Sequence, residues 1–216
     1  MRKKIQKNIK VKICGITNLA DALNAADLGA DALGFIFAQS PRQITPDQAA
    51  KIIKKIPPFV SKVGVFVNNS RKEILSILNK CPLDVLQFHG EETDNYCAFF
   101  RKYCKIIKAV RVINKTSLGI LKKYSNIDAF LFDTFKKGIY GGTGESFDWK
   151  ILKNIKTKVP VIISGGLNLN NLKTAIKLTR PYGVDICSGV ETRAGKKNIK
   201  LIAQIIEFIQ KQQLNT

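Results

Sequence analysis

Residues 10–37, KVKICGITNLADALNAADLGADALGFIF, contain a strand–helix–strand unit that decides the fold. Short β-branched runs at 10–14 and 32–37 are typical of strands. Between them, Asn18 is positioned to cap a helix rich in Ala and Leu, and Gly29 is positioned to end it. Two strands joined by such a crossover helix are expected to pair in parallel.

The same alternation of strand and helix continues along the whole chain without a linker or a break in composition. It predicts a single-domain (β/α)8 TIM barrel over 10–216, preceded by a basic N-terminal extension at 1–9. The alternative is an open doubly wound sheet, but the Gly-rich turn that usually follows its first strand is absent here. Strands are predicted at 10–14, 32–37, 62–67, 85–88, 106–110, 129–133, 161–164 and 184–187, and helices near 18–28, 46–55, 71–79, 92–103, 117–124, 149–154, 169–177 and 199–210.

The composition is strongly basic, and this charge alone does not decide the function. The chain has 216 residues, with 36 Lys and Arg against 16 Asp and Glu, a formal charge of +20. The positive residues are spread along the chain and no nucleic-acid-binding module is recognisable, so we expect a solvated surface that attracts an anionic substrate. No apolar run approaches the roughly 20 residues of a membrane span, and no signal peptide is recognisable. We therefore expect a cytoplasmic protein with no nucleic-acid or membrane partner.

The metal-binding residue types are few and scattered. The chain has one histidine and five cysteines, and no CxxC pair or Cys/His spacing indicates zinc. We expect reduced thiols and no bound metal.

Two strand ends carry groups suited to acid–base chemistry, and active sites of these barrels lie at the carboxyl ends of the strands. Side-chain alternation along the first strand places Lys12 and Cys14 inside the barrel. Cys14 is then either a buried apolar residue or a base whose pKa a nearby positive group brings towards neutrality. Asp133 ends the apolar sixth strand, where it caps a loop or acts as a general acid with a raised pKa.

Three glycine-bearing turns follow the sixth, seventh and eighth predicted strands. Such barrels bind phosphate with the last two of these loops, where backbone N–H groups can converge on an oxyanion. The turn after the sixth strand could cover the ligand. The candidate phosphate-binding residues are Gly142, Thr143, Gly165, Gly166, Ser188 and Gly189.

Two further side chains lie at the predicted mouth. Arg42, after the second strand, is either solvated or forms a bidentate pair with a substrate carboxylate. His89, after the fourth strand, is either a structural residue or a substrate contact.

Together these residues resemble the phosphoribosylanthranilate isomerase family. The motif VKICGIT at 11–17, with its cysteine, is the most specific, and the motifs follow the family's order over nearly the whole chain from about Lys10. The others are QFHG at 87–90, LFDT at 131–134, GGTG at 141–144 with FDW at 147–149, SGGL at 164–167 and SGVE at 188–191.

The resemblance implies a barrel that catalyses an Amadori rearrangement in tryptophan biosynthesis without metal or cofactor. The oligomeric state stays open between a monomer and a homodimer. Asp133 would protonate the ribose ring oxygen, Cys14 would remove the C2 proton, and Arg42 would bind the anthranilate carboxylate. Three positions depart from the usual family pattern: Glu145, Ala194 and Cys187. None of them replaces Cys14 or Asp133, so they bear on substrate affinity more than on chemistry.

Barrel closure leads to one more expectation. The first and eighth strands become neighbours, and alternation turns both Lys12 and Asp185 inward. We predict that they form an ion pair, because an unpaired buried charge is costly, and that the ammonium favours the Cys14 thiolate.

Other functions have weaker support in the sequence. A metal-dependent sugar-phosphate epimerase needs several His and carboxylate ligands, and a histidine-pathway aldose isomerase would show paired aspartates and half-barrel repetition. A non-catalytic barrel that binds nucleic acid is supported by charge alone.

Overall fold

The computed structural model describes residues 8–133, 149–153 and 155–214, and within them eight parallel strands close into a barrel in sequential order. The predicted barrel is therefore confirmed. The strands are β1 Lys10–Cys14, β2 Ala32–Ile36, β3 Ser61–Phe66, β4 Val85–Phe88, β5 Lys105–Arg111, β6 Ala129–Asp133, β7 Val161–Ser164 and β8 Gly183–Ile186.

Helices connect the strands on the outside of the barrel. Asn18 caps the first helix by accepting a hydrogen bond from Asp21 N at 2.9 Å, and Gly29 follows its end with φ of 102°, so both predictions are confirmed. No helix among the described residues combines the length and apolar character that crossing a membrane requires. The α-helices are α1 Leu19–Asp27, α2 Pro46–Ile53, α3 Arg71–Lys80, α4 Asp94–Phe100, α5 Leu172–Thr179 and α6 Ile199–Leu214.

Two of the predicted helices are 3-10 helices. They span Lys115–Lys123 and Trp149–Leu152. The first contains Gly119 and poor helix formers, and the second is only four residues long, so neither favours a regular α-helix. A short 3-10 helix at Ser188–Val190 and a small hairpin, β9 Glu191–Arg193 with β10 Lys196–Lys197, follow β8 and were not predicted.

Alternation along the strands divides the core into two layers. In β5, Ile107 and Ala109 belong to a small apolar cluster with Leu131, whereas Ile106 and Val110 belong to the large cluster that includes the helices. The small cluster fills the barrel interior below the carboxyl ends of the strands. It thus forms the floor beneath the mouth where the candidate residues lie.

Candidate active site

The described candidate residues lie at the carboxyl ends of the strands or in the loops that follow them. Cys14 ends β1 and Asp133 ends β6, while Arg42 and His89 follow β2 and β4. Gly142 and Thr143 lie outside the described residues.

Cys14 differs from the other thiols in its surroundings. A hydrogen bond from the Cys187 thiol and the charge of Lys12 outweigh burial and lower the pKa of Cys14 to about 6. Because the two thiols share this hydrogen bond, the pKa of Cys187 is raised. Burial raises the pKa of Cys97 to about 12 and that of Cys104 to about 11, which leaves both as inert core residues.

The predicted ion pair of Lys12 and Asp185 is present. The two residues are register partners between β1 and β8, and Lys12 Nζ lies 2.8 Å from Asp185 Oδ1. Burial lowers the pKa of Lys12, but the charges of Asp185 and Cys14 outweigh it, so the pKa is raised and the ammonium is retained.

Gly34 of β2 provides the space for this arrangement. A Cβ added there would lie 2.7 Å from Cys14 Sγ and 3.0 Å from Lys12 Nζ. Its inward position beside Lys12 and Cys14 was missed in the sequence. The available signal was a glycine inside an apolar strand, which often marks a close approach.

His89 and Asp133 contact each other across the mouth. His89 Nε2 lies 3.0 Å from Asp133 Oδ2, although β5 separates β4 from β6. On its other side, His89 Nδ1 lies 3.3 Å from Gln87 Nε2. The structure thus gives the histidine a partner that the sequence did not suggest, and its contact with substrate stays a prediction.

A buried ion pair holds the backbone around His89. Lys108 Nζ donates to the carbonyl oxygens of Phe88 at 3.2 Å and Gly90 at 2.6 Å, and it contacts Glu92 Oε2 at 2.9 Å. Because these carbonyls flank His89, the ammonium fixes the segment that carries the imidazole.

Arg42 is oriented by Glu191, another residue that sequence reasoning missed. Its Nε lies 3.0 Å from both carboxylate oxygens, and its Nη2 lies 2.7 Å from Oε2. Glu191 also accepts from the buried Lys197 at 2.9 Å, so the carboxylate is shared by two cations. No described residue accepts a hydrogen bond from Nη1, which leaves that edge of the guanidinium for a second carboxylate.

The stem of Arg42 and the thiol of Cys187 both lie close to Gly15. A Cβ added to Gly15 would lie 2.9 Å from Arg42 Cδ and 3.0 Å from Cys187 Sγ. Gly15 also has a φ of 74°, so both its backbone and its neighbours require glycine.

The glycine turns after β7 and β8 pack against each other. Gly165 and Gly166 have φ values of 98° and 68°, and a Cβ on Gly189 would lie 1.9 Å from Leu167 O. Within the described residues, the backbone N–H groups of Gly166, Ser188 and Gly189 donate no hydrogen bond. Such groups at neighbouring turns are suited to binding the oxygens of a phosphate.

Comparison with known proteins identifies close relatives over almost the full chain. The sequence model of the family described as N-(5'phosphoribosyl)anthranilate (PRA) isomerase matches residues 11–208. The N-(5'-phosphoribosyl)anthranilate isomerase of Pelobacter propionicus is 46% identical over 201 residues, which cover 93% of this chain and 95% of that protein.

Solved structures agree with this comparison. Phosphoribosyl anthranilate isomerase from Thermotoga maritima superimposes with a TM-score of 0.87 and 40% identity, covering 94% of this chain and 99% of that one. A phosphoribosyl anthranilate isomerase in complex with reduced 1-(o-carboxyphenylamino)-1-deoxyribulose 5-phosphate gives a TM-score of 0.82 and 38% identity, with the same coverage.

Proposed function

Because this chain belongs to the N-(5'-phosphoribosyl)anthranilate isomerase family, we propose that it catalyses the Amadori rearrangement of N-(5-phosphoribosyl)anthranilate in tryptophan biosynthesis. The product is 1-(2-carboxyphenylamino)-1-deoxyribulose 5-phosphate, whose reduced form is the ligand of one matched structure. The observation that carries the proposal is the placement of a thiol of lowered pKa and a histidine-bonded carboxyl at the mouth of one barrel.

Asp133 is the general acid in this proposal. It gives a proton to the ribose ring oxygen, the C1–O bond breaks, and the nitrogen lone pair forms a C1=N iminium. The carboxyl is partly shielded from solvent and hydrogen-bonded to His89. This contact holds Asp133 at the strand end, where a bound ribose can reach it.

Cys14 is the general base. Its thiolate removes the C2 proton, and the C–H electrons form a C1=C2 double bond while neutralising the nitrogen. A modest base is sufficient because the iminium withdraws electrons. The enolamine then gains a proton at C1 and loses one from the C2 hydroxyl, which gives the ketone. With a pKa of about 6, Cys14 is mostly ionised at neutral pH.

Binding uses groups on both sides of these two residues. Arg42 pairs with the anthranilate carboxylate through the guanidinium edge that Glu191 leaves open. Gly165, Gly166, Ser188 and Gly189 bind the phosphate. The predicted role of Gly142 and Thr143 as a cover falls outside the described residues.

We further propose that a phosphorylated small molecule is the only required partner. The reaction needs no metal or cofactor, and the protein acts in the cytoplasm without nucleic acid or membrane. The protein is a monomer or a homodimer. The molar mass of the purified protein, measured by light scattering, distinguishes the two states.

Turnover of phosphoribosylanthranilate by the purified chain tests the activity, and rescue of a tryptophan auxotroph that lacks the isomerase tests it in cells. Cys14→Ala and Asp133→Asn should each lower kcat at least about 100-fold, the usual contribution of a general acid or base. Matched controls are Cys104→Ala and Asp128→Asn, which remove a thiol and a carboxylate at the opposite end of the barrel. Full activity of Cys14→Ala or Asp133→Asn would refute the assigned role, and absence of wild-type turnover would refute the function.

A further inference from the structure

Gln87 lies directly behind the His89–Asp133 pair. It belongs to β4 two residues before His89, so both side chains point into the barrel, and Gln87 is 1% exposed. Its Nε2 faces His89 Nδ1, whereas its Oε1 is the one buried side-chain polar atom among the described residues that has no hydrogen-bond partner. A buried acceptor without a donor costs about 1–3 kcal/mol and calls for an explanation.

The contact with Gln87 determines where the histidine carries its proton. An amide nitrogen only donates hydrogen bonds, so with Gln87 Nε2 facing the ring, Nδ1 accepts and the proton is assigned to His89 Nε2. With the ring in this tautomer, Nε2–H donates to Asp133 Oδ2 at 3.0 Å. A neutral imidazole beside an ionised carboxylate is the unloaded state of the pair. In this state the pair lacks the proton that ring opening requires.

When the His89–Asp133 pair takes up that proton, His89 Nδ1 needs a different kind of hydrogen-bond partner. When the added proton is on the imidazole, or is shared with Asp133 across the Nε2–Oδ2 contact, Nδ1 carries hydrogen and requires an acceptor. Rotation of the Gln87 amide by about 180° presents Oε1 to Nδ1–H. Gln87 Oε1 accepts no hydrogen bond from any described residue. The rotation therefore breaks only the contact between Gln87 Nε2 and His89 Nδ1.

We propose that Gln87 is a positioning residue that controls the loading of the His89–Asp133 pair with the proton used in ring opening. The amide nitrogen faces His89 when the pair lacks this proton, and the amide oxygen faces it when the pair holds it. This inference rests on the proposed function, because Asp133 as the proton donor is part of that function.

The other charged groups near the pair make no described hydrogen bond to the imidazole ring of His89. Lys108 contacts the carbonyls on both sides of His89, and its charge is compensated by Glu92 at 2.9 Å. Arg111 is the register partner of Asp133 on β5 and is exposed. The described hydrogen bonds of the imidazole ring itself are those to Gln87 and Asp133.

The single histidine of the chain makes a direct test possible. Labelling with 15N-histidine gives one pair of ring nitrogen signals, and their shifts report the tautomer and the protonation of His89 without any turnover. In the wild-type protein above the titration midpoint, we expect the proton on Nε2. A neutral ring protonated on Nδ1 would overturn the proposal, and this measurement needs no substitution.

Two variants of similar size should move the titration in opposite directions. Gln87→Glu offers Nδ1–H a carboxylate acceptor and should raise the midpoint of His89 by about one pH unit, since a charge-assisted bond contributes at least ~1.4 kcal/mol. Gln87→Met offers no acceptor and should lower the midpoint. Equal or absent shifts would overturn the proposal, and the alkaline limb of the activity profile separates it from a purely structural role of Gln87.

The pH profile of kcat/KM gives a second readout. Ring opening requires the loaded pair, so activity falls as the pair loses its proton at high pH. Gln87→Glu should move this alkaline limb to higher pH and Gln87→Met to lower pH, while the acid limb set by Cys14 stays in place. If Asp133→Asn retains wild-type turnover, the proposed acid role fails even where the 15N shifts behave as expected. If the alkaline limb moves with neither variant, the role of Gln87 fails alone.

Discussion

Lys12 Nζ and Asp185 Oδ1 lie 2.8 Å apart inside the barrel, where each side chain is only 5% exposed. The pair joins the first strand to the last and places an ammonium beside Cys14. One interaction therefore contributes both to barrel closure and to the ionisation of the proposed base. Removing one partner of such a pair costs about 3–5 kcal/mol because the other charge is left buried and unpaired.

We expect Lys12→Met to raise the pKa of Cys14 above its value of about 6, because the ammonium favours the thiolate. Less thiolate is then present at neutral pH, and the acid limb of the activity profile moves to higher pH. The pH dependence of Cys14 alkylation, followed by mass spectrometry, measures this directly. In the double variant Lys12→Met/Asp185→Asn the rise should be smaller, because the Asp185 carboxylate itself raises the pKa of Cys14. Unchanged titrations in both variants would contradict the assignment.

Cys187 should affect Cys14 through its hydrogen bond. Cys187→Ala removes the donor and should raise the pKa of Cys14, whereas Cys187→Ser keeps a hydroxyl donor and should leave it near the wild-type value. The same alkylation titration compares the two variants. If they behave alike, the hydrogen bond is not the cause of the lowered pKa.

Gly34→Ala should impair turnover while preserving the fold. The added Cβ would lie 2.7 Å from Cys14 Sγ, so the thiol must move. A displacement of about 1 Å at a reacting group can cost up to 100-fold in rate, and we expect kcat to fall about 10- to 100-fold. Gly119→Ala is the control, because an added Cβ there meets no atom within 4 Å. Wild-type kcat for Gly34→Ala would show that the thiol tolerates the shift.

Arg42→Lys should weaken substrate binding. A lysine cannot contact Glu191 through two nitrogens and also present a planar edge to a substrate carboxylate. We expect KM to rise about tenfold or more, equivalent to ~1.4 kcal/mol, with little change in kcat. Arg193→Lys, an exposed arginine on the β9–β10 hairpin, is the matched control. Equal KM values for the two variants would remove Arg42 from the binding site.

The strands could be predicted closely because they are largely buried on both faces and rich in β-branched and other apolar residues, as in parallel sheets. The predicted strand at 62–67, for example, is observed at Ser61–Phe66. Alternation and closure together also predicted the Lys12–Asp185 contact. The segments around 117–124 and 149–154 were predicted as helices and are 3-10 helices, a distinction that apolar spacing does not make.

The contacts of the site were harder to predict. Alternation gives the side to which His89 and Asp133 point, but not that an imidazole reaches across β5 to a carboxylate two strands away. The pairing of Arg42 with Glu191 depends on a loop and a hairpin that pattern reasoning does not place. Both contacts require coordinates, because they join residues that share neither a strand nor a ladder.

The Lys12–Asp185 ion pair, which connects the first and last strands of the barrel, joins residues 173 positions apart in the chain. During synthesis, β1 emerges long before β8, and contacts of such large separation generally form late and slowly. We therefore expect the pKa of Cys14 to fall only when the last strand docks on the first. A nascent or truncated chain that ends before residue 183 should carry an ordinary thiol, so that faster alkylation at neutral pH would report the moment at which maturation is complete.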